Sequence, residues 1–281
     1  MIRTILVGLD GSIGSRTATE LGISWAKQCG ASLTGVAVVD SVTIRSPHMT
    51  GLGGGTYQAR IEAARMARAT SETGQFVAEF ATSCRVAGAQ ATCRIEHADP
   101  VEALLTLHDD FDITLIPKKT RFRFVTQDGP DDTLVQVLRR GRRPVVAVPD
   151  VLPEGDSVVV AYDGGMASAD ALQSFASSGL GSGATVSVVS ISDKRETAIL
   201  RAEEAARFLA FHDVTARPRP VPIAAGHEAD ALRAVVADVN ARMVVMGAFS
   251  HGQAREWLRR STTIRMLQSE ERLLYCCHHP A

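Results

Sequence analysis

The sequence predicts an α/β protein built as two tandem five-stranded parallel-sheet domains, residues 1–150 and 151–281, and three observations carry that expectation. Short apolar runs bounded by turn residues alternate with helical stretches, the alternation restarts after residue 150, and the two halves can be registered against each other. Regular alternation of strand and helix implies a parallel sheet covered by helices on both faces and linked by right-handed crossovers.

In the first half the opening run, residues 4–10, reads as a buried strand ending at Gly11-Ser12. A helix is expected over 16–29, with Ala18, Leu21, Gly22, Trp25 and Ala26 on one face and Gly30 as its stop. A strand at 32–39 follows, then the Gly-rich loop 51–55 and a long helix over 57–86. A strand at 91–96, a helix at 100–108, a strand at 113–116, a helix at 132–140 and a strand at 144–148 complete this half.

The second half repeats the order. Val158-Val-Val-Ala-Tyr162 is a strand ending in Asp163-Gly164-Gly165, followed by a helix over 168–178, a strand over 184–191 and a helix over 196–211. Then come a strand at 215–223, a helix at 229–239, a strand at 243–246, a helix at 262–267 and a strand at 272–277. Asp10 corresponds to Asp163, and 112–116 to 242–246, the offset staying near 130 from there to the last strand. Each half closes with its own fifth strand, which argues for a tandem duplication and against one large barrel.

Composition removes several function classes. With 30 Lys and Arg against 31 Asp and Glu, the net charge is −1, so there is no global positive field for nucleic acid or an anionic membrane, and neither is expected as a partner. No apolar run reaches the roughly 18 residues of a membrane span, and the N-terminal run is too short for a signal peptide, so the expected location is the cytoplasm. Five cysteines, at irregular spacing, fit reduced thiols better than a disulfide framework.

In an open parallel sheet the ligand crevice lies at the carboxyl ends of the strands. Asp10-Gly-Ser12 and Asp163-Gly-Gly165 stand there. An Asp in that place can accept from a ribose or base donor, and it can equally cap the helix that follows.

These residues resemble a known family. The opening Ile5-Leu-Val-Gly-Leu-Asp10-Gly-Ser12, its repeat ending in Asp163-Gly-Gly165, and Met243-Val-Val-Met-Gly247-Ala-Phe-Ser250-His251-Gly-Gln-Ala-Arg255-Glu-Trp-Leu followed by Ser261 look like universal stress proteins, across almost the whole chain. The resemblance implies a flavodoxin-like, adenine-nucleotide-hydrolase-like fold and two halves paired through their fifth strands as an internal pseudo-dimer; the expected protein is no enzyme, or at most a weak hydrolase of ATP. It leaves open a further homodimer and the identity of protein partners.

Members that bind ATP carry G-x-x-G, nine residues, then G-[S/T], a loop whose backbone N–H groups approach phosphate oxygens. In the second half this pattern falls on Gly247, Ser250, Arg260 and Ser261, keeping the first glycine and the last serine. In the first half it falls on Pro117, Thr120, Pro130 and Asp131, where no glycine remains, two prolines have no N–H, and an acid would repel phosphate. The resemblance therefore places an ATP site in the second domain, at Asp163, Ile191, Gly247, Ser250, His251 and Ser261, with Asp10 and Val38 as the matching positions of the first. ATP is the one cofactor expected, with no metal beyond its magnesium. Two alternatives stay open: an adaptor that binds no nucleotide, and a binder of another small molecule or a metal in the same crevice.

Eight basic residues lie within 118–143, which reads as a polyanion patch or, in preference, as a solvated and partly ion-paired face. Cys276-Cys-His-His279 invites a zinc reading, but strand alternation puts only two ligands on either face, so ordinary strand packing is favoured even with His212, His227 and His251 elsewhere. His97 and His227 fall in the turns after the third strands. Neither a dinucleotide fingerprint, a P-loop nor a nucleophile elbow is present.

Overall fold

The computed structural model describes residues 1–46, 55–127, 129–223, 226–249, 262–269 and 272–279. The chain packs as two compact units, one formed by Arg3–Val137 and the other by Met1–Ile2 with Leu138–Ala281. The packing division falls inside a helix, α5 (Thr133–Arg140), ahead of the point at which the sequence pattern restarts.

In the N-terminal unit the elements are β1 (Thr4–Leu9), α1 (Ile13–Cys29), β2 (Ser32–Asp40), α2 (Ser41–Ile44), α3 (Gly55–Ala87), β3 (Ala91–Ala98), α4 (Pro100–His108) and β4 (Ile113–Pro117). The strands are parallel in the order β3-β2-β1-β4. β1, β2 and β4 are buried almost throughout, as mainly apolar strands covered on both faces are, and their buried hydroxyls are bonded, Thr34 to Thr92 and Thr114 to His108. α1 starts three residues earlier than its apolar pattern suggests because Ser12 caps it, its hydroxyl accepting from the Ser15 N–H at 3.1 Å. It stops at Gly30, whose left-handed φ of 67° lets its N–H turn back to the Ala26 carbonyl. α3 lies against β2 at Gly35, where a Cβ would come within 2.7 Å of the Phe80 ring.

The C-terminal unit contains β5 (Val145–Val148), β6 (Ser157–Ala161), α6 (Met166–Ser178), β7 (Thr185–Ser192), α7 (Arg195–Ala210), β8 (Ala216–Pro222), α8 (Glu228–Asp238), β9 (Met243–Ala248), α9 (Thr262–Gln268) and β10 (Leu273–His278). Its strands run in the order β5-β10-β9-β6-β7-β8. All the pairings are parallel except one: β5 lies antiparallel to β10, with Val146 opposite Tyr275. The two fifth strands of the sequence repeat thus pair with each other, as the resemblance implies. Ile2 joins this unit through its N–H, which donates to the Ser178 carbonyl at 3.0 Å.

β8 is an edge strand with an unusual sequence, Ala-Arg-Pro-Arg-Pro-Val-Pro. The Ile223 N–H donates to the Ser192 carbonyl of β7, so along β8 the odd-numbered residues face β7 and the even-numbered ones face outward. Pro218, Pro220 and Pro222 therefore occupy the outward positions, where a proline forfeits no ladder bond and the edge loses the donors with which another strand would pair. Among the described residues no helix is long and apolar enough to cross a membrane.

Candidate functional site

In each unit the carboxyl ends of the parallel strands lie together, where an open sheet of this kind forms its ligand crevice, and the two crevices differ in content. In the first, Asp10 at the end of β1 is buried and both its oxygens are engaged by its own chain. Oδ1 accepts from the Ser12 N–H at 2.9 Å and Oδ2 from the Arg121 N–H at 2.6 Å. Burial pushes the Asp10 carboxyl up; the bonds from Ser12 and Arg121 draw it back, Asp131 adds to the rise, and it stays above its ordinary value. Val38, one residue past the last β1–β2 pair, is buried as well.

The groups that fill this crevice come from the segment after β4. Phe122 is buried over Gly8, where a Cβ would lie 2.8 Å from the ring. Phe124 meets Phe76 of α3 edge to face at 5.6 Å, and Phe124 and Val125 pack on Val39, Ile44 and Ala69. Between the two phenylalanines the Arg123 side chain turns inward. Its Nη1 donates to Asp40 Oδ2 at 3.0 Å and to Thr43 Oγ1 at 3.3 Å, and its Nη2 to Asp99 Oδ2 at 2.6 Å. Thr126 adds a hydroxyl bond to Asp40 at 2.7 Å. Burial works against the guanidinium charge, but Asp99, Asp40 and Asp131 outweigh it and hold Arg123 above its ordinary value. Burial likewise pushes the Asp99 carboxyl up, yet Arg123 and the N–H groups of Glu102 and Val101 bring it below the usual carboxylate range.

Asp131 also turns to its own chain, accepting from the Arg123 N–H at 3.2 Å and from the Thr133 N–H at 2.9 Å. The ends of β1 and β2 and the turn after β3 are thus each bonded to one loop. The solvated face expected for the basic segment does not hold at Arg123, whose side chain is 16% exposed.

The second crevice has a different aspect. Asp163 is exposed; its Oδ1 accepts from the Gly165 N–H at 2.8 Å and the Ser168 hydroxyl at 2.5 Å, while Oδ2 has no partner among the described residues. Ile191, the counterpart of Val38, is half-buried near the end of β7. Arg201 of α7 lies over the turn, its Nε 2.9 Å from where a Cβ on Gly164 would be, a position that the φ of 79° reserves for glycine.

Gly247 has a packing reason to be glycine. A Cβ there would lie 2.6 Å from the carbonyl carbon of Ala167 and the nitrogen of Ser168, so β9 runs directly against the first turn of α6. Phe249 follows in a left-handed conformation, φ 53°, with its N–H on Thr263 Oγ1 at 3.4 Å and the Arg139 guanidinium 4.8 Å from its ring centroid. Ser250, His251, Arg260 and Ser261 lie outside the described residues.

The cysteine and histidine strand faces α6 with alternate side chains. Tyr275 bonds the Ser174 hydroxyl at 2.8 Å, His279 Nδ1 lies 2.7 Å from Asp170 Oδ2, and burial pushes the Cys277 thiol far up. His278 Nδ1 meets the Ala248 carbonyl at 3.2 Å. Among the described residues no three metal-ligating side chains converge. His97 and His227 are both exposed, and His212 packs on the Phe208 ring at 4.7 Å.

Sequence reasoning missed Arg123, Asp40 and Asp99 as a connected group. The available signal was an acid at the end of three of the four strands, Asp10, Asp40 and Asp99, with a loop rich in arginine after the fourth.

The model of the universal stress protein family matches residues 1–149. Over nearly its full length the chain is similar in structure to a universal stress protein from Archaeoglobus fulgidus DSM 4304, with TM-score 0.69 and 16% identity, covering 98% of this chain and 96% of that one. It is similar too to a functionally unknown protein from Pseudomonas aeruginosa PAO1, with TM-score 0.58 and 16% identity, covering 99% of this chain and 92% of the other. At such identities the likeness speaks for the fold. No curated protein sequence matches the chain. The strand-end aspartates, the crossed-over α/β units and a family match over more than half of the length lead to one conclusion: the chain belongs to the universal stress protein family.

Proposed function

We propose that this protein acts in the stress response, in the cytoplasm, by binding an adenine nucleotide in its second crevice alone, the first having become a structural counterpart. The observation that supports this reading is the contrast between two equivalent carboxylates. Asp10 is buried with both oxygens bonded to its own chain, and Asp163 is exposed with Oδ2 open. A ribose or base donor has an acceptor at Asp163, and the main chain at Ile191 lies beside it to read an adenine edge.

The carboxyl end of β9, from Gly247 into the stretch with Ser250, His251 and Ser261, is where phosphates and their magnesium ion would be held. The nucleotide would supply a bridge between strand ends, favouring one arrangement of residues 247–261. The reading is of a binding protein, with at most weak hydrolysis of the bound nucleotide.

Titration of the full chain with a fluorescent adenine nucleotide tests it. Saturable binding that weakens at least about tenfold in Asp163→Ala and is unchanged in Asp10→Asn is expected, from the loss of one hydrogen bond to a charged group. Absence of saturation at millimolar ATP, or equal losses in the two variants, would refute it.

A further inference from the structure

We propose that two copies of this chain join edge to edge through β3, antiparallel and in a register centred on Ile95. Among the described residues β3 is the outer strand of its sheet, paired to β2 alone. It is exposed along most of its length, Ile95 to 39%. The Leu33 N–H of β2 donates to the Gln90 carbonyl, so even-numbered residues of β3 direct their N–H and C=O groups to β2. The odd-numbered residues Cys93, Ile95 and His97 direct theirs outward. Unlike β8, where three of the four outward positions are prolines, β3 keeps every outward donor. An edge of this kind is a template for another strand.

Geometry and charge then select the partner and the register. An antiparallel pair of identical strands sets outward residues opposite outward residues, which leaves three central registers. One puts Arg94 opposite Arg94 and another puts Glu96 opposite Glu96, both like-charge contacts. The third puts Ile95 opposite Ile95 and sets Arg94 of each copy opposite Glu96 of the other. In it the two ion pairs sit at non-hydrogen-bonded positions, where cross-strand side chains approach most closely. Neither Arg94 nor Glu96 has an ion-pair partner among the described residues. The strand is therefore complementary to itself by a two-fold axis, the symmetry commonest in soluble assemblies.

Sedimentation velocity of the full chain, with charge variants, tests this. The wild type is expected to dimerise reversibly in the micromolar range. Glu96→Arg and Arg94→Glu are each expected to raise the dissociation constant about tenfold or more, two attractive cross-strand pairs having become repulsive. The swap Arg94→Glu with Glu96→Arg restores it. Ile95→Pro, which removes an outward N–H as β8 does, abolishes assembly. Ile95→Cys in a Cys93→Ser background locks a covalent dimer on mild oxidation, since a hydrogen-bonded pair stands about 5.5 Å apart between Cα atoms, within disulfide reach. A monomeric wild type, a dimer indifferent to charge reversal, or failure of the swap to restore assembly would overturn the proposal.

Discussion

Arg123→Ala removes the group on which the first crevice closes. In the wild type one guanidinium bonds Asp40 and Asp99, and the side chains are 16%, 3% and 27% exposed for Arg123, Asp40 and Asp99. Among the described residues Asp40 would keep the Thr126 hydroxyl and the Thr43 N–H, and Asp99 its backbone donors. Taking one partner from a buried pair costs about 3–5 kcal/mol, and the solvent that reaches Asp99 places this case near 3 kcal/mol. With a urea slope of about 2 kcal/mol per molar, the unfolding midpoint of the N-terminal unit falls by about 1.5 M. Trp25, buried in that unit, reports it by fluorescence in a Trp257→Phe background. Arg123→Lys, a point charge able to hold one carboxylate well, is expected to lose about half as much. A midpoint lowered by less than about 0.3 M in the alanine variant, which is near the error of such fits, would refute the closing role.

Acid supplies a second test of the same group. Because the Asp99 carboxyl is held below its ordinary value of about 3.9, its stabilising contribution is complete above that value and lost as pH falls through the folded one. The difference in stability between wild type and Arg123→Ala is therefore flat from neutrality to about pH 5 and shrinks below about pH 4 in urea titrations. Asp10, raised by burial, acts in the opposite sense, but it is common to both proteins. Gly247→Ala sets a Cβ 2.6 Å from two backbone atoms of α6 that no rotamer change can move, and is expected to cost about 3 kcal/mol, seen as a lowered melting temperature. Thiol labelling of the native protein should modify exposed Cys93 first and leave buried Cys84, whose pKa is pushed up to about 11, and Cys277 unreacted until denaturant is added.

The strands were legible because each buried one is a mainly apolar run, and such runs satisfy a parallel sheet whatever surrounds them; even β7 keeps that signal with Ser187 and Ser190 buried inside it. Even β8 could be read despite three prolines, although their meaning required knowing which parity faces outward. α2 was not legible: Ser41–Ile44 forms a single turn because Asp40 caps it, with its Oδ1 accepting from the Thr43 N–H at 3.2 Å, too short a stretch for periodicity to appear. The loss of the glycine loop in the first half was visible in Pro117, Pro130 and Asp131. What took its place was not, because Arg123 meets Asp40 and Asp99 across separations that no local pattern encodes. Buried charge clusters are properties of the fold, and a run of basic residues reads as surface until the facing acids are known.

The pairing of β5 with β10 has a consequence for synthesis. Val146 leaves the ribosome about 130 residues before Tyr275, its partner, which at 5–20 residues per second is a wait of roughly ten seconds. During that interval Val145-Val-Ala-Val148 has no antiparallel neighbour, and a short strand of this composition is adhesive. The N-terminal unit, contiguous from Arg3 to Val137, can complete its own sheet in the meantime. The nascent chain therefore passes through a stage in which the N-terminal unit is complete and Val145–Val148 still lacks its β10 partner. Slow translation of the second half, or depletion of the factors that shelter emerging chains, would show itself first as aggregation through that strand.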